Sequence, residues 1–224
     1  MCSNITNNRL FTRRQAFAAV SSGLLGSAYG QEQKPSIEQA LERLLAGNRR
    51  FQENNLEHPD LNRERRVALS KSQNPFAAIL SCSDSRVPPE IVFDEGLGDL
   101  FVIRNAGHIV DNAVLGSAEY AVGHLNVPLI VVLGHSSCGA VKAAVDGLRE
   151  AHLTSIVRAI APAVKQARHG AGSLWESSVK ENIRMSVQTL VSSKQILGRA
   201  VERRTLRVVG AHYDLKSGEV TLTT

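Results

Sequence analysis

The sequence predicts an α/β fold, a mostly parallel β-sheet flanked by helices, and two observations carry this prediction. Short apolar runs bounded by Gly, Pro, Asp or other polar residues recur along the chain, as buried strands do. They span residues 76–81, 100–103, 129–133 and 206–210, with a further edge strand expected at 220–223. Helical stretches accompany these runs at about 111–125, 138–148, 152–169 and 174–197. Because strands that alternate with helices build parallel sheets covered on both faces, we expect that architecture here.

The segment before the first strand is predicted to be helical. Ser36 and Gln39 have the spacing of a capping box, and apolar residues follow them at helical intervals. An amphipathic helix is therefore expected over 37–53. A polar loop at 54–62 and a short helix at 63–72 complete this segment.

Residues 1–30 are typical of an export signal. Arg13 and Arg14 form a twin-arginine pattern, a weakly apolar stretch follows at 16–28, and small residues precede a possible cleavage before Gln31. We expect removal of this signal and export by the twin-arginine route to the periplasm, or to a lumenal or extracellular compartment. A disordered basic tail and an organelle transit peptide remain open as alternatives.

Length and composition limit the remaining possibilities. The 224 residues, 43% of them hydrophobic, supply one well-buried core but not two large domains. We expect a single domain over 31–224 that includes a helical arm over 36–70. Three Arg in the first 30 residues account for most of the +5 net charge, and the remainder has no signature of a nucleic-acid partner. No apolar run reaches the ~18 residues that a spanning helix needs, so stable membrane insertion after signal removal is not expected.

Three metal-ligand side chains follow two of the predicted strands. Cys82 comes directly after the first run, and His135 and Cys138 come directly after the third. Sites in open α/β sheets lie beyond the carboxyl ends of the strands, where the winding direction reverses. If these two strands are neighbours at that point, the two thiols and the imidazole converge.

Two thiolates and one imidazole suit Zn²⁺, and a three-ligand set leaves the fourth position open, as in catalytic zinc sites. Three simpler interpretations stay open. The cysteines can be buried small side chains, they can form a disulfide in an exported protein, and the histidine can be an ordinary hydrogen-bonded strand-end residue.

Asp84 and Arg86 lie two and four residues after the first candidate ligand. Asp84 can bind the metal as a fourth ligand and close the site, or it can pair with Arg86 and face the open position. A bidentate pair would keep the carboxylate ionised and oriented. The alternative is a surface ion pair of little consequence.

Three segments together resemble the β-class carbonic anhydrases. They are Cys-Ser-Asp-Ser-Arg-Val-Pro at 82–88, Arg-Asn-Ala-Gly at 104–107 and His-Ser-Ser-Cys-Gly at 135–139. The resemblance extends from about residue 36 to residue 213, with the order and spacing of the motifs intact.

This resemblance implies a lyase that catalyses the reversible hydration of CO₂ to bicarbonate and a proton. It implies zinc held by Cys82, His135 and Cys138, with Asp84 and Arg86 as the catalytic dyad. It further implies that the first helix crosses onto a partner subunit and that the active-site cleft lies at the interface of a homodimer or a higher homo-oligomer.

The resemblance also supplies pocket residues of the plant-like kind. Gln73 would hydrogen-bond bicarbonate, while Phe101 and Tyr120 would shape an apolar CO₂ pocket. For the two aromatic side chains, plain core packing is the alternative.

Two rival functions remain from the sequence alone. The same zinc scaffold can hydrolyse a CO₂ analogue such as carbonyl sulfide or carbon disulfide. A non-catalytic zinc-binding interaction protein is the rival from another class, and the presence of both Asp84 and Arg86 argues against it.

Overall fold

The structure, a computed structural model, describes residues 34–170 and 172–223. The export signal predicted over residues 1–30 and the domain boundary at residue 31 lie outside these ranges and stay predictions.

Five strands form one sheet, and they are β1 (Ala77–Cys82), β2 (Leu100–Asn105), β3 (Leu129–His135), β4 (Arg207–Tyr213) and β5 (Val220–Leu222). Their order across the sheet is β2-β1-β3-β4-β5. The first four strands pair in parallel, and β5 pairs antiparallel with β4. The predicted mostly parallel sheet is thereby confirmed.

The helices of the described residues are α1 (Ile37–Gln52), α2 (Arg63–Leu69), α3 (Pro89–Val92), α4 (Asn112–Gly123), α5 (Gly139–Val145), α6 (Leu153–Ala167), α7 (Leu174–Ser192) and α8 (Leu197–Glu202). A short 3₁₀ turn spans Ala106–His108. Within these ranges, no helix combines the length and the apolar character that crossing a bilayer requires.

Three strands continue beyond the apolar runs that predicted them. β2, β3 and β4 end at Asn105, His135 and Tyr213, two or three residues later than expected. The added residues are largely polar, but their backbones still pair with neighbouring strands. Apolar patterning does not detect such residues, although they carry the site.

The helix predicted over 174–197 is wrong at its C-terminal end. α7 stops at Ser192, Ser193 adopts an extended conformation, and α8 starts at Leu197. The N–H of Gly198 donates to the carbonyl of Ser193 at 2.7 Å, and a Cβ at Gly198 would lie 2.6 Å from that oxygen. A larger side chain would therefore obstruct this close turn between the helices.

The sheet has its topological switch point between β1 and β3. The chain leaves β1 towards β2 on one side and leaves β3 towards β4 on the other. Connections that depart in opposite directions open a crevice at the carboxyl ends of the two strands. Cys82 and His135 are the last residues of these strands.

The alternation of side chains along β1 supplies both faces of the sheet. Ala78, Leu80 and Cys82 join the core formed with α4 to α8, while Ala77 and Ile79 join the core on the opposite face. All six residues of β1 are buried. The rigid centre of the sheet therefore carries the first candidate ligand.

α1 covers the second face of the sheet. Its capping box forms as predicted, with the Ser36 hydroxyl accepting from the N–H of Gln39. Ala40 and Leu44 are buried in the core of that face. The side-chain amide of Asn48 donates to the carbonyls of Val92 and Gly218 at 3.1 and 2.9 Å. These contacts tie the helix to its own chain.

The helical arm that is expected to pack on a partner subunit also packs on its own chain through α1. Its apolar face lies on the sheet of the same chain, which satisfies the amphipathic pattern without a second copy. The other part of the arm, α2, buries none of its residues and leaves Val67 exposed. Contact of the arm with a partner subunit stays a prediction for both helices.

A cluster of charges joins α1 to the loop after α3. The guanidinium of Arg43 binds both carboxylate oxygens of Glu95, lies 3.1 Å from Asp99 and stacks 4.1 Å from the centre of the Phe76 ring. The Glu95 side chain is almost fully buried. Burial raises its pKa to about 7, an effect larger than the opposing attraction of Arg43.

Replacement of Glu95 by Gln tests this cluster through pH. Because the folded-state pKa of about 7 lies above the ordinary glutamate pKa of 4.5, folding takes up a proton between these values. The contribution of Glu95 to stability is therefore full below pH 4.5 and is lost as the pH rises towards 7. The difference in unfolding free energy between wild type and Glu95→Gln should fall across this window and then level off. Urea titrations at fixed protein concentration measure it, and a difference that does not change with pH would contradict the raised pKa.

Candidate metal centre and active site

Three ligand atoms meet at the switch point as the sequence predicts. Cys82 ends β1, His135 ends β3, and Cys138 caps the start of α5. The two Sγ atoms and a ring nitrogen of His135 all lie within 4.8 Å of one another, and all three residues are buried. Adjacent parallel strands thus bring together residues that are more than fifty positions apart.

The geometry of the two thiols fits zinc and excludes a disulfide in this structure. Both cysteines are free, and their sulfur atoms are 4.0 Å apart. A disulfide needs about 2.05 Å. Two sulfur ligands on one tetrahedral zinc ion, with Zn–S bonds of about 2.3 Å, would lie about 3.8 Å apart. The distance between the thiols is therefore close to that of a zinc site.

The histidine is oriented for a metal as well. Its Nδ1 lies 2.9 Å from the carbonyl of Ser136, which can only accept, so Nδ1 carries the proton. Nε2 then holds the lone pair, is buried, and has no hydrogen-bond partner among the described residues. A buried acceptor without a partner is costly, and a cation between it and the thiols removes that cost.

The pKa values of the two thiols also indicate a site for a cation. The pKa of Cys82 is lowered, chiefly because the Cys138 thiol donates to its sulfur and then because of His135 and the N–H of Gly107. The pKa of Cys138 is raised because it is the donor in that pair. In this pair Cys138 carries the proton and the sulfur of Cys82 accepts the hydrogen bond. Zinc binding displaces such protons, because its ligands are thiolates.

Asp84 and Arg86 form the predicted bidentate pair. Nε and Nη2 of Arg86 donate to the two carboxylate oxygens of Asp84 at 2.9 and 2.7 Å, and the N–H of Arg86 adds a bond of 3.0 Å. These bonds hold the pKa of Asp84 well below its usual range. Oδ2 of Asp84 lies 3.8 Å from Nε2 of His135, so the carboxylate borders the ligand group.

Arg104 supports this loop in a way that the sequence reading did not identify. Its guanidinium donates to the carbonyl of Cys82 at 3.0 Å and to that of Asp84 at 2.7 Å. The Arg-Asn-Ala-Gly motif contains Arg104, but no spacing rule connects this residue to carbonyl groups of another segment. The parallel register, which pairs Ser81 with Arg104, creates this contact.

Two residues at the start of α7 hold the other ligand loop. The indole N–H of Trp175 donates to the carbonyl of Cys138 at 2.9 Å. The carboxylate of Glu176 accepts from the N–H of Ser137 at 3.0 Å, and Ser137 has a positive φ of 55°. Neither role is visible in the sequence, because α7 is far along the chain and is brought here by packing.

The predicted pocket residues cluster together but away from the ligands. The rings of Phe101 and Tyr120 are 6.1 Å apart, and Gln73 and Tyr120 line one cavity of about 440 Å³. Phe101 pairs with Ala78, whereas Cys82 pairs with a residue four positions further along β2. At about 3.3 Å per residue, this separation is about 13 Å. One chain therefore does not place these residues over the metal centre.

The space beside the dyad has a different character. Arg86 lines an open cavity of about 590 Å³ together with residues that are polar except for Leu215. The others are Ser136, Ser137, Glu176, Lys180, His212, Asp214 and Lys216. The cavity beside Arg86 supplies charged and hydrogen-bonding groups but not the apolar wall expected for CO₂.

The fold and the ligand set define a class of protein that comparison with known sequences then identifies. A family model described as carbonic anhydrase matches residues 77–220, which span every ligand and the dyad. The chain belongs to the β-class carbonic anhydrases, a family of zinc-dependent lyases.

Particular relatives are similar over most of the chain. Carbonic anhydrase 2 of Mycobacterium tuberculosis is 41% identical over 184 residues, which cover 80% of this chain and 89% of that protein. The carbonic anhydrase of Mycolicibacterium smegmatis is 43% identical with the same coverage. Among solved structures, the β-carbonic anhydrase CcaA is 31% identical with a TM-score of 0.64, covering 81% of this chain and 94% of that chain. A tetrameric β-carbonic anhydrase of Sordaria macrospora is 25% identical with a TM-score of 0.66, covering 82% and 93%.

Replacement of Cys138 by Ser should remove both zinc and activity. A serine hydroxyl stays protonated near neutral pH and does not replace a thiolate ligand, so two ligands would remain. Zinc content and CO₂ hydration measured on one sample test this expectation. Full activity in Cys138→Ser after stoichiometric loss of zinc would contradict the assignment.

Proposed function

We propose that this chain catalyses the reversible hydration of CO₂ to bicarbonate and a proton at a zinc ion held by Cys82, His135 and Cys138. The observation that carries the proposal is the dyad of Asp84 and Arg86 at the edge of an open three-ligand set. A purely structural zinc site would have four protein ligands. The names of the relatives agree with this reaction.

His135, Asp84 and Arg86 each have a separate role in the proposed reaction. When bound, zinc supplies Lewis-acid chemistry that makes water a nucleophile near neutral pH. His135 keeps its Nε2 lone pair available because Ser136 accepts from Nδ1. Asp84 borders the open side and accepts a hydrogen bond from the attacking water, which orients the oxygen lone pair. Arg86 keeps Asp84 ionised and fixes its direction.

In this structure the Asp84 carboxylate is hydrogen-bonded to Arg86 and does not belong to the ligand group of Cys82, His135 and Cys138. We infer that it can also move onto the metal as a fourth ligand and close the site. The two positions compete, because each uses the same carboxylate oxygens. Loss of Arg86 would leave the metal as the stronger remaining partner.

We further propose a homodimer or a larger homo-oligomer in which Gln73, Phe101 and Tyr120 of one chain complete the site of the other. The separation of about 13 Å within one chain supports this arrangement. So does the polar lining of the cavity beside Arg86, which lacks the apolar wall. The tetrameric relative of Sordaria macrospora shows that similar chains assemble.

Replacement of Asp84 by Asn should lower kcat by about 10²- to 10⁴-fold while the zinc remains bound. Three ligands stay in place, but the charge that pairs with Arg86 and aligns the water is lost. Arg86→Ala should do similar damage because Asp84 is then free to bind the metal. Stopped-flow CO₂ hydration across pH 7 to 9, with zinc content determined on each sample, measures both variants.

Asp146→Asn is the matched control for this pair, because Asp146 forms an exposed ion pair with Lys142 on α5. Such exposed pairs contribute little, so its turnover should stay normal. Near-normal turnover in either dyad variant would overturn the role of the dyad. Release of sulfide from carbonyl sulfide, with no hydration of CO₂ by the wild type, would instead favour the rival reaction.

Mixed dimers test whether the pocket comes from the partner. A Cys138→Ser chain keeps the pocket but has no metal, and a Gln73→Ala chain keeps the metal but has a damaged pocket. If the pocket acts across the interface, co-expressed mixed dimers purified by two different tags should recover up to half of the wild-type sites. Mixed dimers no more active than the Gln73→Ala homodimer, or a fully active monomer in light scattering, would contradict the proposal.

A further inference from the structure

α7 carries a row of buried polar side chains that the proposed reaction does not use. Ser178, Asn182 and Ser186 are each at most 5% exposed and lie four residues apart, on one face of the helix. Ser178 donates to the carbonyl of Leu174 in its own helix. Asn182 and Ser186 instead reach the 3₁₀ turn after β2.

That turn has an unfavourable backbone. Gly107 and His108 both have positive φ, 74° and 43°. Glycine suits the first position, and a Cβ there would lie 2.7 Å from Cδ1 of Ile160 and 3.1 Å from the Cβ of Ala140. His108 has no such freedom and is fully buried. A residue other than glycine keeps this conformation only when its surroundings hold it.

Asn182 stabilises this backbone conformation with both hydrogens of its side-chain amide. Nδ2 donates to the carbonyl of Gly107 at 2.8 Å and lies 3.1 Å from Nε2 of His108. The carbonyl only accepts, so the amide orientation is determined. Burial lowers the pKa of His108 to about 4, so the ring is neutral and its Nε2 accepts from Asn182. The hydroxyl of Ser186 adds a bond of 3.3 Å to the carbonyl of His108.

One backbone N–H of the turn reaches the metal centre. The N–H of Gly107 donates to Sγ of Cys82 at 3.3 Å. Groups that hydrogen-bond to a metal ligand orient it and tune its donor strength, and their loss commonly weakens metal affinity. Asn182 holds the next peptide unit through the carbonyl of Gly107, and Ser186 holds the one after it through the carbonyl of His108. The two residues therefore fix the turn immediately after the Cα that carries this N–H.

We propose that Asn182 is a positioning residue for the zinc centre, which holds the 106–108 turn so that the N–H of Gly107 donates to the thiolate of Cys82. Ser186 is the second anchor of the same turn. The inference rests on the zinc site and not on the reaction proposed above. Zinc binding is measured without CO₂, so a wild-type protein that binds zinc but does not hydrate CO₂ would refute only the reaction.

The primary test compares Asn182→Leu with Asn48→Leu. Asn48 on α1 is also buried, and its amide also donates to two acceptors, but these are carbonyls on the other face of the sheet. Asn182→Leu loses the two bonds that its amide donates, and Asn48→Leu loses two donated bonds and the two that its Oδ1 accepts from Val220 and Gln52, so both should be less stable. Only Asn182→Leu should release zinc faster to an excess of chelator, by about 10- to 100-fold.

Cobalt substitution provides an absorption band whose wavelength does not depend on the overall stability of the protein. Loss of the N–H bond to sulfur makes the thiolate electrons easier to transfer to the metal. The thiolate-to-cobalt charge-transfer band of Asn182→Leu should therefore shift to longer wavelength, while that of Asn48→Leu stays at the wild-type position. Equal zinc release and an unshifted band in both variants would overturn the proposal and leave Asn182 as a packing residue.

A milder pair decides the question if Asn182→Leu does not fold. Ser186→Ala removes only the bond to His108, whereas Ser178→Ala removes a bond within the helix. Both residues are buried on the same face of α7, so packing effects are matched. Faster zinc release in Ser186→Ala than in Ser178→Ala supports the proposal, and equal release contradicts it.

Discussion

Two sulfur atoms and an imidazole nitrogen are buried together at the carboxyl ends of β1 and β3, and the rest of the site depends on this juxtaposition. The sulfurs are 4.0 Å apart, and Nε2 of His135 has no hydrogen-bond partner among the described residues. Each group would be costly to bury alone, and together they need a cation. The arrangement exists because adjacent parallel strands end at the same edge of the sheet and their connections leave in opposite directions.

Two sets of charges at this centre balance formally, and Arg104 adds a positive charge beside them. Zinc and two thiolates cancel formally, and so do Asp84 and Arg86, which are joined by two side-chain bonds. Arg104 binds only backbone carbonyls of the same loop, so it fixes the loop without capturing the carboxylate.

The molecule separates the metal from the apolar pocket along β2. One end of this strand lies beside Cys82, and the other carries Phe101 next to Tyr120. The core between them is rigid, so no small movement within one chain closes the distance. α1 is likewise committed to its own sheet through Leu44 and Asn48. We therefore propose that the apolar pocket of the catalytic site comes from a second chain.

The sequence by itself determined the sheet, the ligands and the dyad. Apolar runs mark the buried strands, and Cys82 and His135 lie one and two residues beyond the runs that predict β1 and β3. Asp84 and Arg86 are close in the chain, so their pairing is also a local property. Only the tertiary structure decided which residues from distant segments contact the site. Arg104, Trp175 and Asn182 act through backbone groups of distant segments, and the distance of Phe101 from the metal depends on strand register. Such contacts arise from packing and leave no periodicity or spacing in the sequence.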